Sequence, residues 1–155
     1  MASTNAAADA QLETFIAAYA PDVARTARAA LKKLRGQARG ATELVYDNYN
    51  GLAIAFGPTE RTSDAVLSLV LYPRWVTLFF VRGAGLPDPQ RLLRGSGARM
   101  RHVKLAAATD LDRPAVRALI GAALRGAAEP LPRKAPRRTI VKSISAKRRP
   151  RRPGD

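Results

Sequence analysis

Two runs near the middle of the chain, residues 65–72 and 75–82, are apolar on both faces and are separated only by Pro73 and Arg74. In the first, Leu67, Leu69 and Leu71 alternate with Val66, Val70 and Tyr72; in the second, Trp75, Phe79 and Val81 alternate with Val76, Leu78 and Phe80. A strand places successive side chains on opposite faces. A solvated edge therefore suits neither run, and the pair is predicted at the centre of a sheet, with helices on one face and part of the other face covered.

The flanking segments supply those helices. Leu12, Phe15, Ile16 and Tyr19 recur at i, i+3, i+4 and i+7, which predicts an amphipathic helix over about residues 9–19. A second helix is predicted from about Asp22 to Arg39, with Pro21 at its first turn, Gly40 beyond its end, and Val23, Ala27, Ala30, Leu31 and Leu34 on its apolar face. After Gly40 the period changes to two. Strands are expected at 43–49 and 52–56, with Asn50-Gly51 between them favouring a type I′ hairpin. Beyond the central pair come a loop at Gly83–Pro89, a short helical turn through Arg91, Leu92 and Leu93, a Gly95-Ser96-Gly97 release and a fifth strand near 99–105. Asp112 is the expected N-cap of a final helix carrying Val116, Leu119, Ile120, Ala123 and Leu124. The expected class is α+β: two N-terminal helices, an antiparallel meander of four or five strands and a closing C-terminal helix.

With 155 residues, 46% of them hydrophobic, the chain has room for one domain, expected at 9–127, and a short appendage at 128–155. No run approaches the length of a membrane span. There is no cysteine, which removes disulfides, thiolate metal sites and cysteine nucleophiles, and His102 is the sole histidine. The first ten residues have neither a basic nor a Leu-rich segment, so a cytoplasmic location is expected and no membrane partner. Of the 27 basic residues 21 are Arg, and Ala is abundant too, a bias that a GC-rich genome would produce on its own.

Charge is unevenly placed. The formal net charge is +15, of which +6 lies in residues 1–130 and +9 in residues 131–155. The last segment holds four prolines and few apolar residues, so it reads as a basic arm, flexible in its own right. Thr139–Ile144 alternates well enough to dock as a strand, whereas Lys147, Arg148, Arg149, Arg151 and Arg152 are expected to stay solvated. In the second helix Arg25, Arg28, Lys32, Arg35 and Arg39 form a cationic stripe. Clusters of this kind neutralise phosphates and release counterions, which predicts sequence-independent nucleic-acid or other polyanion contact; a merely solvated face is the competing explanation. The aromatics read as core rather than as a platform for stacking bases.

Three further groupings bear on chemistry. Tyr46 and Asp47, beside the hairpin, with Arg74, Arg82, Arg101 and His102, are candidates for a small-ligand site; the alternative is a turn whose tyrosines cap the core. The segment from Arg94 to His102 combines glycines and arginines suited to an anion, yet lacks the P-loop spacing and following helix. His102 as a base would need a serine such as Ser68 or Ser96 and an acid such as Asp47, which sequence cannot bring together. No catalytic residue, cofactor or metal is assigned.

The segments Val45-Tyr46-Asp47-Asn48-Tyr49-Asn50, Leu78-Phe79-Phe80 with Arg82-Gly83, Leu86-Pro87-Asp88-Pro89-Gln90-Arg91-Leu92-Leu93-Arg94-Gly95-Ser96-Gly97, Arg101-His102 and the helix opened by Leu111-Asp112 resemble the YdhG-like domain of unknown function, a bacterial family compared with the frataxin fold. The likeness spans about residues 10–126, and Ile144-Ser145-Ala146-Lys147 is similar to tails of that family. The resemblance implies, as an alternative function, a frataxin-like iron or small-ligand chaperone. Iron binding of that kind uses a ridge of carboxylates, and here the first helix offers only Asp9 and Glu13, with Asp22 at the start of the next. The leading expectation is a non-enzymatic module that engages an anionic partner, with an uncharacterised enzyme third. Homodimerisation through a sheet face is left open by the doubly apolar strands.

Overall fold

The computed structural model describes residues 2–154. It is α+β: helices α1 (Ala2–Ala17), α2 (Pro21–Gln37) and α3 (Pro114–Arg125) accompany six strands, β1 (Thr42–Asp47), β2 (Leu52–Gly57), β3 (Leu67–Leu71), β4 (Val76–Phe80), β5 (Arg101–Leu105) and β6 (Arg138–Ile144). The sheet order is β5-β4-β3-β2-β1-β6. Strands β1 to β5 form the expected antiparallel meander, and β6 joins β1 in parallel, which makes the sheet mixed.

The central hairpin behaves as its alternation requires. Leu67, Leu69 and Leu71 of β3 and Val76, Leu78 and Phe80 of β4 are buried in one core with Leu12, Ile16, Leu31, Leu34, Val116 and Ile120 of the three helices. On the other face Ser68, Val70, Tyr72 and Phe79 are only half-buried. Cross-strand pairing puts His102, Phe79, Ser68, Ala55, Leu44 and Ile140 in one row of that outer face.

Several local expectations differ. The β1–β2 turn is closed by the Asn48 N–H donating to the Gly51 carbonyl at 2.9 Å, and neither Asn50 nor Gly51 takes a positive φ, so it is not a type I′ hairpin. Gly51 is needed for another reason: a Cβ there would lie 2.4 Å from the Leu71 carbonyl of the neighbouring strand. The segment 91–93 is not helical. Arg91 has φ 53°, and the Asp88 carboxylate accepts from the N–H groups of Leu92 and Leu93 at 2.9 Å each, folding the loop around one side chain. Asp112 does not cap α3. Arg113 occupies that position, while Asp112 ends a short 3-10 helix, Ala108–Asp112, and pairs with Lys33 of α2 at 2.7 Å.

The largest departure is the arm. Beyond α3 the chain crosses to the far edge of the sheet, passing Gly40 so closely that a Cβ there would meet the Pro132 carbonyl at 2.3 Å. It then pairs as β6 and runs on across the end of β1, where the Arg149 N–H donates to the Tyr49 carbonyl at 2.9 Å. Without β6, the open ladder of β1 would face solvent.

Candidate polyanion-binding surface

Which cations are free to meet a partner depends first on which are already committed inside the protein. The inward side of β1 carries Glu43 and Asp47, two buried carboxylates on either side of Val45. Burial of an ionised carboxylate is unfavourable unless it is paired and hydrogen-bonded, and both are closed by arginines. Glu43 takes a two-pronged contact from Arg35 of α2, Nε to Oε2 at 2.8 Å and Nη2 to Oε1 at 2.9 Å, with Arg137 of the arm 3.7 Å away. Arg137 itself forks onto Asp9 of α1 at 3.0 Å through both Nη atoms. Burial alone would raise the Asp9 carboxyl, but the hydrogen bonds from Arg137 and Thr139 and the charges of Arg137 and Arg35 outweigh it and hold it below its ordinary value.

Asp47, 1% exposed, is held entirely by the arm. Arg148 Nη1 donates to Oδ2 at 2.6 Å and Arg151 Nη2 to Oδ1 at 2.8 Å. The Arg151 guanidinium also lies 5.7 Å from the centre of the Tyr19 ring. Tyr19 is a core residue whose hydroxyl faces the Leu52 backbone without completing a hydrogen bond; burial, reinforced by the Asp47 charge and opposed by Arg151, pushes its pKa up to about 12. Arg152 Nε reaches the Ala18 carbonyl at 3.2 Å. The run 147–152 is therefore not simply solvated. Arg148 and Arg151 turn inward because a buried acid lies beneath them, while Lys147, Arg149 and Arg152 remain exposed.

The α2 stripe divides in the same way. Arg28 bonds Glu13 through Nε at 2.7 Å, and that bond raises its pKa. Arg35 is the Glu43 partner already described, and Arg25, Lys32 and Arg39 are exposed with no ion pair among the described residues. The carboxylates of an acidic ridge on α1 are thus both occupied by guanidinium groups, and the described residues contain no cluster of three metal-ligating side chains.

The six proposed small-ligand residues do not converge. Tyr46 and Asp47 are neighbours on β1 and so point to opposite faces; Tyr46 bonds the Thr62 hydroxyl on the outer face while Asp47 lies under the arm. Arg74 sits in the β3–β4 turn, and Arg82 lies beyond the opposite end of β4, roughly 25 Å along an extended chain. Arg82 lines a separate cavity of about 250 Å³ with Asp64, Val66, Leu86 and Ala123. Arg101 folds onto its own loop, donating to the Met100 carbonyl at 2.8 Å, and His102 packs on Phe79 with centroids 5.3 Å apart. Nor do Ser68, His102 and Asp47 form a triad: Phe79 lies between Ser68 and His102 in the row, and Asp47 is on the other face.

Sequence reasoning passed over Arg137, whose role depends on a carboxylate 128 positions away, and apart from the candidate Tyr46 read the aromatics as core. Tyr19, Phe56 and Phe80 are core; Trp75 and Tyr49 are exposed. The signal available for Trp75 was its place beside Pro73-Arg74, where a turn brings a side chain to the sheet's end. Comparison of the chain with known protein families, curated proteins and solved structures finds no match.

Proposed function

We propose that this protein is a non-enzymatic binding module for polyanions, with non-specific nucleic-acid contact as its leading use. The observation that carries this reading is the balance left after internal pairing. Among the described residues seven Lys and Arg side chains are engaged in ion pairs with six carboxylates, out of 27 basic and 12 acidic residues in the chain. The committed cations hold the arm and helices in place, and about twenty other cations, including Arg74, Lys104, Lys147 and Arg149, remain against only six further carboxylates in the chain. A field of that sign attracts polyanions and repels metal cations. The frataxin-like iron reading that the YdhG-like resemblance suggests is less well supported, because Asp9 and Glu13 are already matched to arginines.

Fluorescence anisotropy of labelled oligonucleotides with the full chain tests the reading. If about five phosphates are engaged, the log–log salt slope should be near −4.5, and affinity should fall at least a hundredfold between about 50 and about 200 mM salt. Charge removal at Lys147 and Arg149 should lower both the affinity and the slope. Absence of binding at the lower salt would reject the function.

A further inference from the structure

Four large apolar side chains are exposed among the described residues, and three of them, Tyr49, Trp75 and Met100, border the outer face of the sheet at 49%, 40% and 46% exposure. Clustered exposure of this kind marks an interaction site more often than scattered surface apolar groups do. Two grooves meet there. One, of about 560 Å³, is floored by Ala53 and Val70 and walled by Tyr49, Phe79 and Met100. The other, of about 690 Å³, runs between Trp75 with Arg74 and the arm residues Arg149 and Arg152. They share Asn50 and Tyr72, so they form one strip that runs over the outer face of β2, β3 and β4 to the end carrying the β1–β2 and β3–β4 turns.

The chemistry of the strip is specific in two ways. Among the described residues no carboxylate lines either groove. Each of the two most exposed rings carries a cation: Lys104 Nζ is 4.4 Å from the Trp75 centroid and Arg149 Cζ is 5.7 Å from that of Tyr49. Tyr72 and Trp75 meet at a tilt of 50° with centroids 5.9 Å apart, which leaves the two rings non-parallel and unstacked on each other. Rings in a shallow groove, alternating with cations and with no acid among the described lining residues, suit a ligand that alternates flat apolar faces with negative charges.

We propose that the outer sheet face binds single-stranded nucleic acid, with bases stacking on Trp75, Tyr72 and Tyr49 and the phosphates held by Arg74, Lys104 and Arg149. This rests on the polyanion reading above and adds to it a strand preference. A duplex hides its base faces and could use only the cations, whereas a single strand uses rings and cations together. Three adjacent strands span about 10 Å, and sheets that bind RNA in this manner stack two or three bases. The arm contributes because Arg148 and Arg151, by gripping Asp47, anchor the chain on either side of Arg149.

Trp75 is the sole tryptophan, so its fluorescence reports on the site directly. The full chain is titrated with an oligothymidylate of about a dozen nucleotides, with a duplex of equal length, and with polyglutamate, following tryptophan emission and anisotropy. The single strand should quench Trp75 and bind about tenfold or more tighter than the duplex. Trp75→Ala should weaken single-strand binding by about tenfold to a hundredfold and leave duplex binding unchanged, and Trp75→Phe should restore most of it. Tyr49→Ala, at a second exposed site, provides an independent arm of the test with the same expected direction. Equal affinity for strand and duplex with no effect of Trp75→Ala overturns this inference and leaves the polyanion function standing; no binding of either rejects both. Quenching by polyglutamate as strong as by the oligonucleotide would assign the face to acidic peptides. Emission that changes with protein concentration alone would assign it to a second copy of the chain. Either result overturns the proposal.

Discussion

Asp47 shows how one buried residue can organise a distant part of the chain. It sits at the end of β1 with almost no solvent contact, and its two oxygens are met by arginines 101 and 104 positions later. Arg148 is half exposed and can return to water, but Arg151, at 9% exposure, cannot do so without moving the arm. Asp47→Ala should therefore destabilise the fold by about 3 kcal/mol, the lower end for a broken buried pair. The same variant should make Lys147–Arg149 sensitive to trypsin; denaturant unfolding and limited proteolysis check the two effects. Tyr19, beside this pair, carries an orphaned hydroxyl. Because its folded pKa is about 12 against an ordinary 10.0, its contribution is complete below pH 10 and is lost as pH rises toward 12. Tyr19→Phe should be neutral or stabilising by about 1 kcal/mol at neutral pH. It should also flatten the alkaline limb of the stability profile between those two values. A steeper alkaline loss in the variant would refute the assignment.

At the scale of elements, α2 and β6 illustrate what periodicity can and cannot say. The 3, 4, 3, 4 spacing of Arg25, Arg28, Lys32, Arg35 and Arg39 established a common side of one helix. It could not distinguish Arg35, turned onto buried Glu43, from Arg25, which faces water. Their substitutions should differ accordingly. Arg35→Ala leaves Glu43 with the longer Arg137 contact and a 3.4 Å hydrogen bond from the Thr139 hydroxyl, and should cost about 2–4 kcal/mol, whereas Arg25→Ala should fall within about 0.5 kcal/mol of the parent. Thermal melts of the two variants decide between a shared and a divided stripe. The alternation in Thr139–Ile144 was legible as a strand able to dock. Its partner and parallel direction were not, since they depend on β1 having an open edge and on Arg137 reaching Asp9. The type I′ turn at Asn50-Gly51 failed for a related reason: Gly51 is required by the approach of β3, a tertiary neighbour, and not by its own φ.

For the molecule as a whole, the excess of positive charge serves two ends. Part of it crosses the helical face and the sheet edge to neutralise carboxylates on α1 and β1, and the remainder is left outward on the arm and around the outer sheet face. The arm is thus structural as well as basic. A chain ending at Pro130 should lose β6 and the Asp47 clamp together. Its melting temperature should fall by more than about 10 °C, corresponding to several kcal/mol. With the β1 edge bare it should also associate in sedimentation experiments. A truncated chain that melts like the parent would show the arm to be dispensable.

The sequence by itself determined the α+β class, the order of the eight helices and strands from α1 to α3, and which residues share a face of each central strand. These follow from hydrophobic periods read over a few residues, and such periods survive because burial of one face dominates local choice. Tertiary structure alone decided the parallel sixth strand, the division of the arginines into internal clamps and outward cations, and the gathering of Tyr49, Tyr72 and Trp75 along one strip. Those outcomes turn on distances between residues far apart in the chain. An arginine looks the same in sequence whether it faces water or a buried carboxylate, and only the fold places the carboxylate beneath it.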